Sequence, residues 1–162
     1  MPPAIQVRDA RDDDYEVLLR FHKSLYEAHR DQVVAPEDLA LIAYRDYEGI
    51  LANDLRALLR DREAMVLIAE SGTEPLAYIT GRVTLESRRV LPRRGVVEDW
   101  YVEQSARGSG IGKQLLEALE KRFVERGCEL IESATWSGNT GARRAHDAMG
   151  FREIRVIYRK RV

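Results

Sequence analysis

The sequence is poor in several things, and each shortage excludes something. One cysteine, Cys128, in 162 residues rules out an internal disulfide. No apolar run approaches the roughly 20 residues that cross a bilayer. A net charge of -1, from 26 basic and 27 acidic residues, leaves no general surplus for nucleic acid or an anionic membrane, so neither partner is expected. Any anion site must be local. The opening MPPAIQVRDARDDD lacks the basic-then-apolar layout of a secretion signal, which makes the cytoplasm the expected location. There is no internal repeat, and the longest one-sign patch, SRRVLPRR from Ser87 to Arg94, reads as a solvated loop between strands. What is present is a 44% hydrophobic composition, enough for one domain with a sizeable core over 1–162.

The patterning predicts a mixed α/β order. Ile5 to Arg8 reads as a strand, and Asp12 to Asp14 suit a helix start, where carboxylates meet free backbone N–H groups. Tyr15, Leu18, Leu19, His22, Leu25, Tyr26 and His29 then recur at helical spacing. Neither histidine has a carboxylate or thiol at metal-site spacing, so no metal is expected. Pro36 marks another helix start, with Leu51, Leu55, Leu58 and Leu59 continuing a helical face. AMVLIAE and LAYITGRVTLE flank the turn SGTEP as a hairpin, and GVVEDWYV from Gly95 to Val102 is a further strand. Beyond it come a helix with Ile111, Leu115, Leu119 and Phe123 on one face, the strand CELIESATW, a helix from Asn139 or Thr140 to Met149, and a closing strand FREIRVIYRK.

Glu98 and Asp99 stand side by side in the middle of a strand, where alternation sends neighbouring side chains to opposite faces. At least one carboxylate must then face something that justifies its desolvation. The next stretch, RGSGIGKQLL from Arg107 to Leu116, is a glycine turn opening a helix, where free amides and the helix dipole attract an anion. It is not a P-loop: Arg107 stands where the first glycine is needed, and Gln114 follows Lys113 in place of Ser or Thr. Nor is it a dinucleotide fingerprint, because Gly108, Gly110 and Gly112 alternate. A turn with only a structural role is the remaining local alternative.

The run Arg107, Gly108, Ser109, Gly110, Ile111, Gly112 resembles the pyrophosphate-binding signature of the GNAT superfamily of acetyl-CoA-dependent N-acetyltransferases, Arg/Gln-x-x-Gly-x-Gly/Ala. A second stretch, with Trp136, Asn139, Ala142, His146, Gly150 and Phe151, is similar to that family's later motif, and the element order fits over nearly the whole chain. The resemblance implies a central mixed, mostly antiparallel twisted sheet flanked by helices. It also implies acetyl-CoA as co-substrate, a primary amine as acceptor, and, by analogy, a homodimer. Glu98-Asp99-x-x-Val102 is closest to the branches that acetylate diamines and other small cationic amines. A protein lysine or N-terminus, or a coenzyme-binding sensor without catalysis, are the alternatives.

Acetyl transfer needs a neutral amine, a stabilised oxyanion and a proton for the leaving thiolate. Amines with pKa about 10.4 are protonated at neutral pH, so a base must act. The resemblance points to Glu98; a structural ion pair is the competing role, with Asp99 as substitute should the strand bulge. Backbone N–H groups at Trp100, Tyr101 and Val102 would hold the coenzyme and its oxyanion. Arg107 and Lys113 would meet phosphate, or cap the turn and stand in solvent respectively. Asn139 would hold the pantetheine arm, open the helix, or both. Many relatives carry a tyrosine acid where this chain has His146. An imidazole, with ordinary pKa about 6.5, can donate a proton; it can equally fill the tyrosine's space. Tyr101 and Tyr158 are the other candidate acids, and Cys128 reads as a core residue.

Overall fold

A computed structural model describes residues 4–162. Strand β1 (Ile5–Asp9) is followed by a short 3-10 turn and helix α1 (Tyr15–Ala28), whose apolar stripe buries Leu18 and Phe21. Asp14 anchors the start of α1. Its carboxylate takes both terminal nitrogens of Arg8, at 2.7 and 2.9 Å, and the Arg11 amide at 2.7 Å. The region after Pro36 is a separate 3-10 helix, Pro36–Leu41, and α2 (Tyr47–Arg60) begins afresh where the Asp46 side chain accepts the Gly49 N–H.

The hairpin of β2 (Ala64–Ser71) and β3 (Glu74–Leu85) forms as the alternation requires, and β4 (Arg93–Val102) lies antiparallel beside β3. After helix α3 (Ile111–Glu125), β5 (Leu130–Ser133) returns parallel to β4 and is shorter than its sequence suggested. Helix α4 is Thr140–Ala148. The result is a five-stranded sheet in the order β1-β2-β3-β4-β5, antiparallel except for its last pair, with helices on both faces.

Two cores hold the layers together. Leu18, Phe21, Leu55, Leu58, Ile68, Tyr78 and Tyr101 pack α1 and α2 on one face of the sheet. Leu67, Ile79, Val97, Ile111, Leu115, Leu119 and Phe123 pack α3 on the other. Phe123 reaches the sheet because Gly81 and Gly95 lie beneath it: a Cβ on either would come within 2.6 or 2.4 Å of its ring. Burying one such aromatic contributes about 1.5–3 kcal/mol, so those glycines set the position of α3 and of the turn at its start.

The closing strand expected over FREIRVIYRK does not form. Residues 151–162 carry no regular structure, and after the Phe151 N–H, bonded to the His146 carbonyl at 3.0 Å, no main-chain hydrogen bond holds the segment among the described residues. A strand exists only against a partner, and this stretch lies against none.

Candidate functional site

The register between β3 and β4 breaks at the two adjacent carboxylates. Ile79 faces Trp100 and Gly81 faces Val97, so Thr80 alone opposes both Glu98 and Asp99. This is a β-bulge, and it overrides the alternation that would send the two side chains to opposite faces. Both meet groups of the α1/α2 side. The Arg82 guanidinium donates to Glu98 at 2.9 and 3.0 Å and also grips Asp61, just past the end of α2. Asp99 turns toward α1: its carboxylate lies 3.5 Å from His22 Nδ1, and its own N–H donates to the Thr80 hydroxyl at 3.0 Å. The Tyr78 hydroxyl meets the same His22 nitrogen at 3.0 Å.

The two carboxylates are therefore electrostatically unlike. Glu98 is 37% exposed and neutralised by a cation. Asp99 keeps only 24% of its side-chain surface open, and burial raises its pKa, partly offset by His22 and reinforced by the negative charge of Glu98. Tyr78 is pushed well above the usual phenol range by burial and stays a neutral donor. A carboxyl with a raised pKa, enclosed but still open at one side, is suited to taking a proton from an ammonium group.

Beside the bulge, the sheet parts. Pairing of β4 with β5 runs from Arg94 against Leu130 to Val97 against Ser133 and stops there. From Glu98 onward the edge of β4 away from β3 pairs with no strand among the described residues, so the amides between Trp100 and Val102 that point away from β3 have no strand partner. The glycine turn stands at the far end of this edge. Gly108 and Gly110 have φ of 77° and 86°, values that L residues avoid, and a Cβ on either would point into open space. Gly110 precedes α3, so the first amides of the helix, at Ile111, Gly112 and Lys113, have no intrahelical acceptor. Gly112 packs close to Trp100, 3.5 Å from a Cβ position to the indole nitrogen. These features fit the diphosphate of a coenzyme: free donors, a positive helix end and a surface stripped of side chains.

The flanking cations are less free. Arg107 donates to the Val102 carbonyl at 3.0 Å and lies over the Tyr101 ring, tying the turn to the end of β4. Lys113 pairs with Glu117 at 3.7 Å, both exposed. Ser109 bonds back to the Ala106 carbonyl. Asn139 opens α4 by accepting the Ala142 N–H at 3.0 Å.

His146 stands between Trp100 and Phe151, with ring centroids 5.6 and 5.1 Å away. Its Nδ1 lies 2.6 Å from the Ala142 carbonyl, which can only accept, so Nδ1 carries the proton. Nε2 therefore meets the Ser133 hydroxyl, 2.7 Å away, as an acceptor when the ring is neutral and as a donor when it is charged. Ser133 is the last paired residue of β5, at the point where the sheet opens. Tyr101 is buried against Phe21 and Tyr78, whereas Tyr158 is 91% exposed on the terminal segment. Cys128 is buried in the α3 core, and burial raises its thiol pKa. Thr80, Arg82 and Ser133 did not stand out in the sequence, whereas His22 did, as a histidine within an otherwise apolar helical stripe.

An open-edged strand leading into a glycine turn at a helix mouth defines a class of α/β proteins that hold a phosphate-bearing carrier against a sheet. The acetyltransferase (GNAT) family sequence model matches residues 18–151, and the chain belongs to that family. It is 38% identical over 65 residues to an aminoglycoside N(6')-acetyltransferase type 1 of Stenotrophomonas maltophilia, covering 40% of this chain and 42% of that protein. It is also 41% identical over 59 residues to an L-methionine sulfoximine/L-methionine sulfone acetyltransferase of Pseudomonas paraeruginosa, covering 36% and 34%. The matches thus span less than half the length of these curated relatives. The fold matches that of aminoglycoside N-acetyltransferase AAC(6')-Iy, solved in complex with CoA, with a TM-score of 0.76, 23% identity and coverage of 100% of this chain and 98% of that one.

Proposed function

We propose that the protein is an acetyl-CoA-dependent N-acetyltransferase that acylates a primary amine of a small cationic acceptor by direct attack in a ternary complex. The observation that carries this reading is the bulge-held Asp99, enclosed and raised in pKa, at the point where β4 loses its neighbour and runs toward the glycine turn. Asp99 takes the proton of the bound ammonium, with His22 and Tyr78 packed behind it. This gives Asp99 the base role that the resemblance offered to Glu98, whose charge is committed to Arg82. The freed amine nitrogen attacks the thioester carbonyl. Amides on the open edge of β4 stabilise the oxyanion, the carbon–sulfur bond breaks, and the thiolate takes the Ser133 hydroxyl proton, which the Nε2–H of a protonated His146 replaces, leaving that ring neutral with its proton on Nδ1. The amides of Gly108 to Lys113 hold the coenzyme's diphosphate.

A cationic acceptor fits the charge of the acceptor side, where the negative charges of Glu98 and Asp54 both act on Asp99. The aminoglycoside-acetylating relatives support the same choice. The protein acts in the cytoplasm as a homodimer. The decisive experiment incubates it with acetyl-CoA and a panel of aminoglycosides, diamines, amino acids and lysine peptides while following free thiol. Release that depends on a small polycationic amine is expected. Tight coenzyme binding with no acceptor-dependent release would leave a coenzyme sensor instead.

A further inference from the structure

The acceptor nitrogen has to lose two protons in each turnover, one from the ammonium group before attack and one from the positive nitrogen of the adduct. A carboxylate holds only one. His146 and Ser133 deliver a proton to sulfur and take none from nitrogen. Glu98, which accepts from the Arg82 guanidinium at 2.9 and 3.0 Å, is held as the charged partner of a cation. Asp99 must therefore be emptied between the two deprotonations, which requires another neighbour that accepts its proton.

His22 stands where such a neighbour is needed. From α1 its Nδ1 lies 3.5 Å from Asp99 Oδ2 on β4 and 3.0 Å from the Tyr78 hydroxyl on β3. Tyr78 is enclosed and stays protonated, so its O–H donates to Nδ1, and the neutral ring carries its own proton on Nε2. When Asp99 becomes protonated, two O–H groups compete for that one lone pair. The carboxyl is the stronger acid, since a phenol ordinarily titrates near pH 10 and burial pushes Tyr78 higher still. Burial also moves Asp99 up toward the range in which imidazole exchanges protons, with the negative charges of Glu98 and Asp54 acting in the same direction. Once the proton has crossed, imidazolium and carboxylate attract each other. The ring is not sealed, for 14% of its side chain is open, and the proton can pass on to water.

We infer that His22 relays the proton of Asp99 to solvent and so resets the carboxylate between the two deprotonations of the acceptor nitrogen. The Asp99 O–H bond breaks as an Nδ1–H bond forms, the Tyr78 hydroxyl turns its hydrogen away from the ring, and the Nε2–H proton leaves to water. Asp99 is then a carboxylate again and takes the second proton from nitrogen; exchange with water returns the ring to its starting tautomer. Two protons leave the nitrogen, one enters from solvent by way of His146 to reach sulfur, and one is released net. His22 touches no reacting atom. It is a positioning residue that acts through Asp99, and the inference rests on the reading of Asp99 as the base.

The test is steady-state kinetics of His22→Gln, whose amide carbonyl still accepts from the Tyr78 hydroxyl but takes up no proton. A kcat lower by about tenfold or more is expected, with the acceptor KM, coenzyme affinity and melting temperature unchanged. A wild-type kcat would overturn the relay. In His22→Ala, added imidazole should restore turnover, whereas pyrazole, a ring of the same shape and far weaker basicity, should not. Rescue by both rings would make His22 a packing group, and rescue by neither would equally overturn the relay. Asp99→Asn separates this inference from the base reading beneath it. An inactive Asp99→Asn beside a fully active His22→Gln removes the relay and leaves the base standing; an active Asp99→Asn removes both.

Discussion

The chain departs from regular backbone in two places, the bulge at Glu98 and Asp99 and the turn from Gly108 to Lys113, by opposite means. The turn does it locally, with two glycines at positive φ ahead of a helix whose first amides lack acceptors. The bulge does it through partners far apart in sequence: Thr80 on β3 satisfies the Asp99 amide, and His22 on α1 receives its carboxylate. One region is built to receive negative charge and to stay accessible. The other encloses a carboxylate at a cost to stability, as the base role proposed for Asp99 requires.

The sharpest way to break this contrast is Asp99→Asn. If Asp99 is the base, kcat/KM falls by about a hundredfold or more, in the range of general-base contributions, and the acidic limb of the pH–rate profile disappears. Stability moves the other way. Between the ordinary carboxyl pKa of about 3.9 and the raised folded value, the folded chain keeps a proton that the unfolded chain has released, so stability falls as pH rises through that interval. The Asn variant lacks this fall and melts higher at neutral pH. A variant that loses stability and keeps its activity would reduce Asp99 to a structural role. At the other region, Gly110→Ala forces a Cβ into a left-handed conformation and into the space offered to phosphate. Acetyl-CoA binding measured by calorimetry should weaken about tenfold or more, the equivalent of one charge-assisted hydrogen bond. Undiminished affinity would free the turn from any part in holding the coenzyme.

The same contrast explains what the sequence disclosed. The glycine turn, the stripe of α3 and the Asn139 cap were legible because their determinants lie within a few residues of one another. The bulge was not, since an extra residue in β4 is defined only by the register of β3, and strict alternation put Glu98 and Asp99 on opposite faces. Nothing near Ser133 indicates that His146, from the next helix, will reach its hydroxyl. The terminal segment shows the converse limit: its alternation is strand-like, yet pairing depends on an edge that no local pattern encodes.

Smaller effects refine the assignment. His146→Phe keeps an aromatic between Trp100 and Phe151 and removes the ring's proton with its bonds to Ser133 and to the Ala142 carbonyl. Turnover about tenfold lower with coenzyme affinity intact is expected, and Ser133→Ala should lower it comparably if the two act as one relay. Equal turnover in both variants and wild type would make His146 a space-filler.

The least effect is expected at Glu98→Gln. The amide still reaches Arg82 through its carbonyl oxygen, and the ion pair that is lost is exposed enough to contribute no more than about 1 kcal/mol. Because Glu98 and Asp99 repel each other, removing its charge also lowers the Asp99 pKa slightly, shifting the acidic limb of kcat/KM to lower pH. A change in kcat/KM within about threefold, with that limb displaced but present, assigns the proton to Asp99. Loss of the limb in Glu98→Gln and its survival in Asp99→Asn would invert the assignment, placing the base at the carboxylate that Arg82 holds.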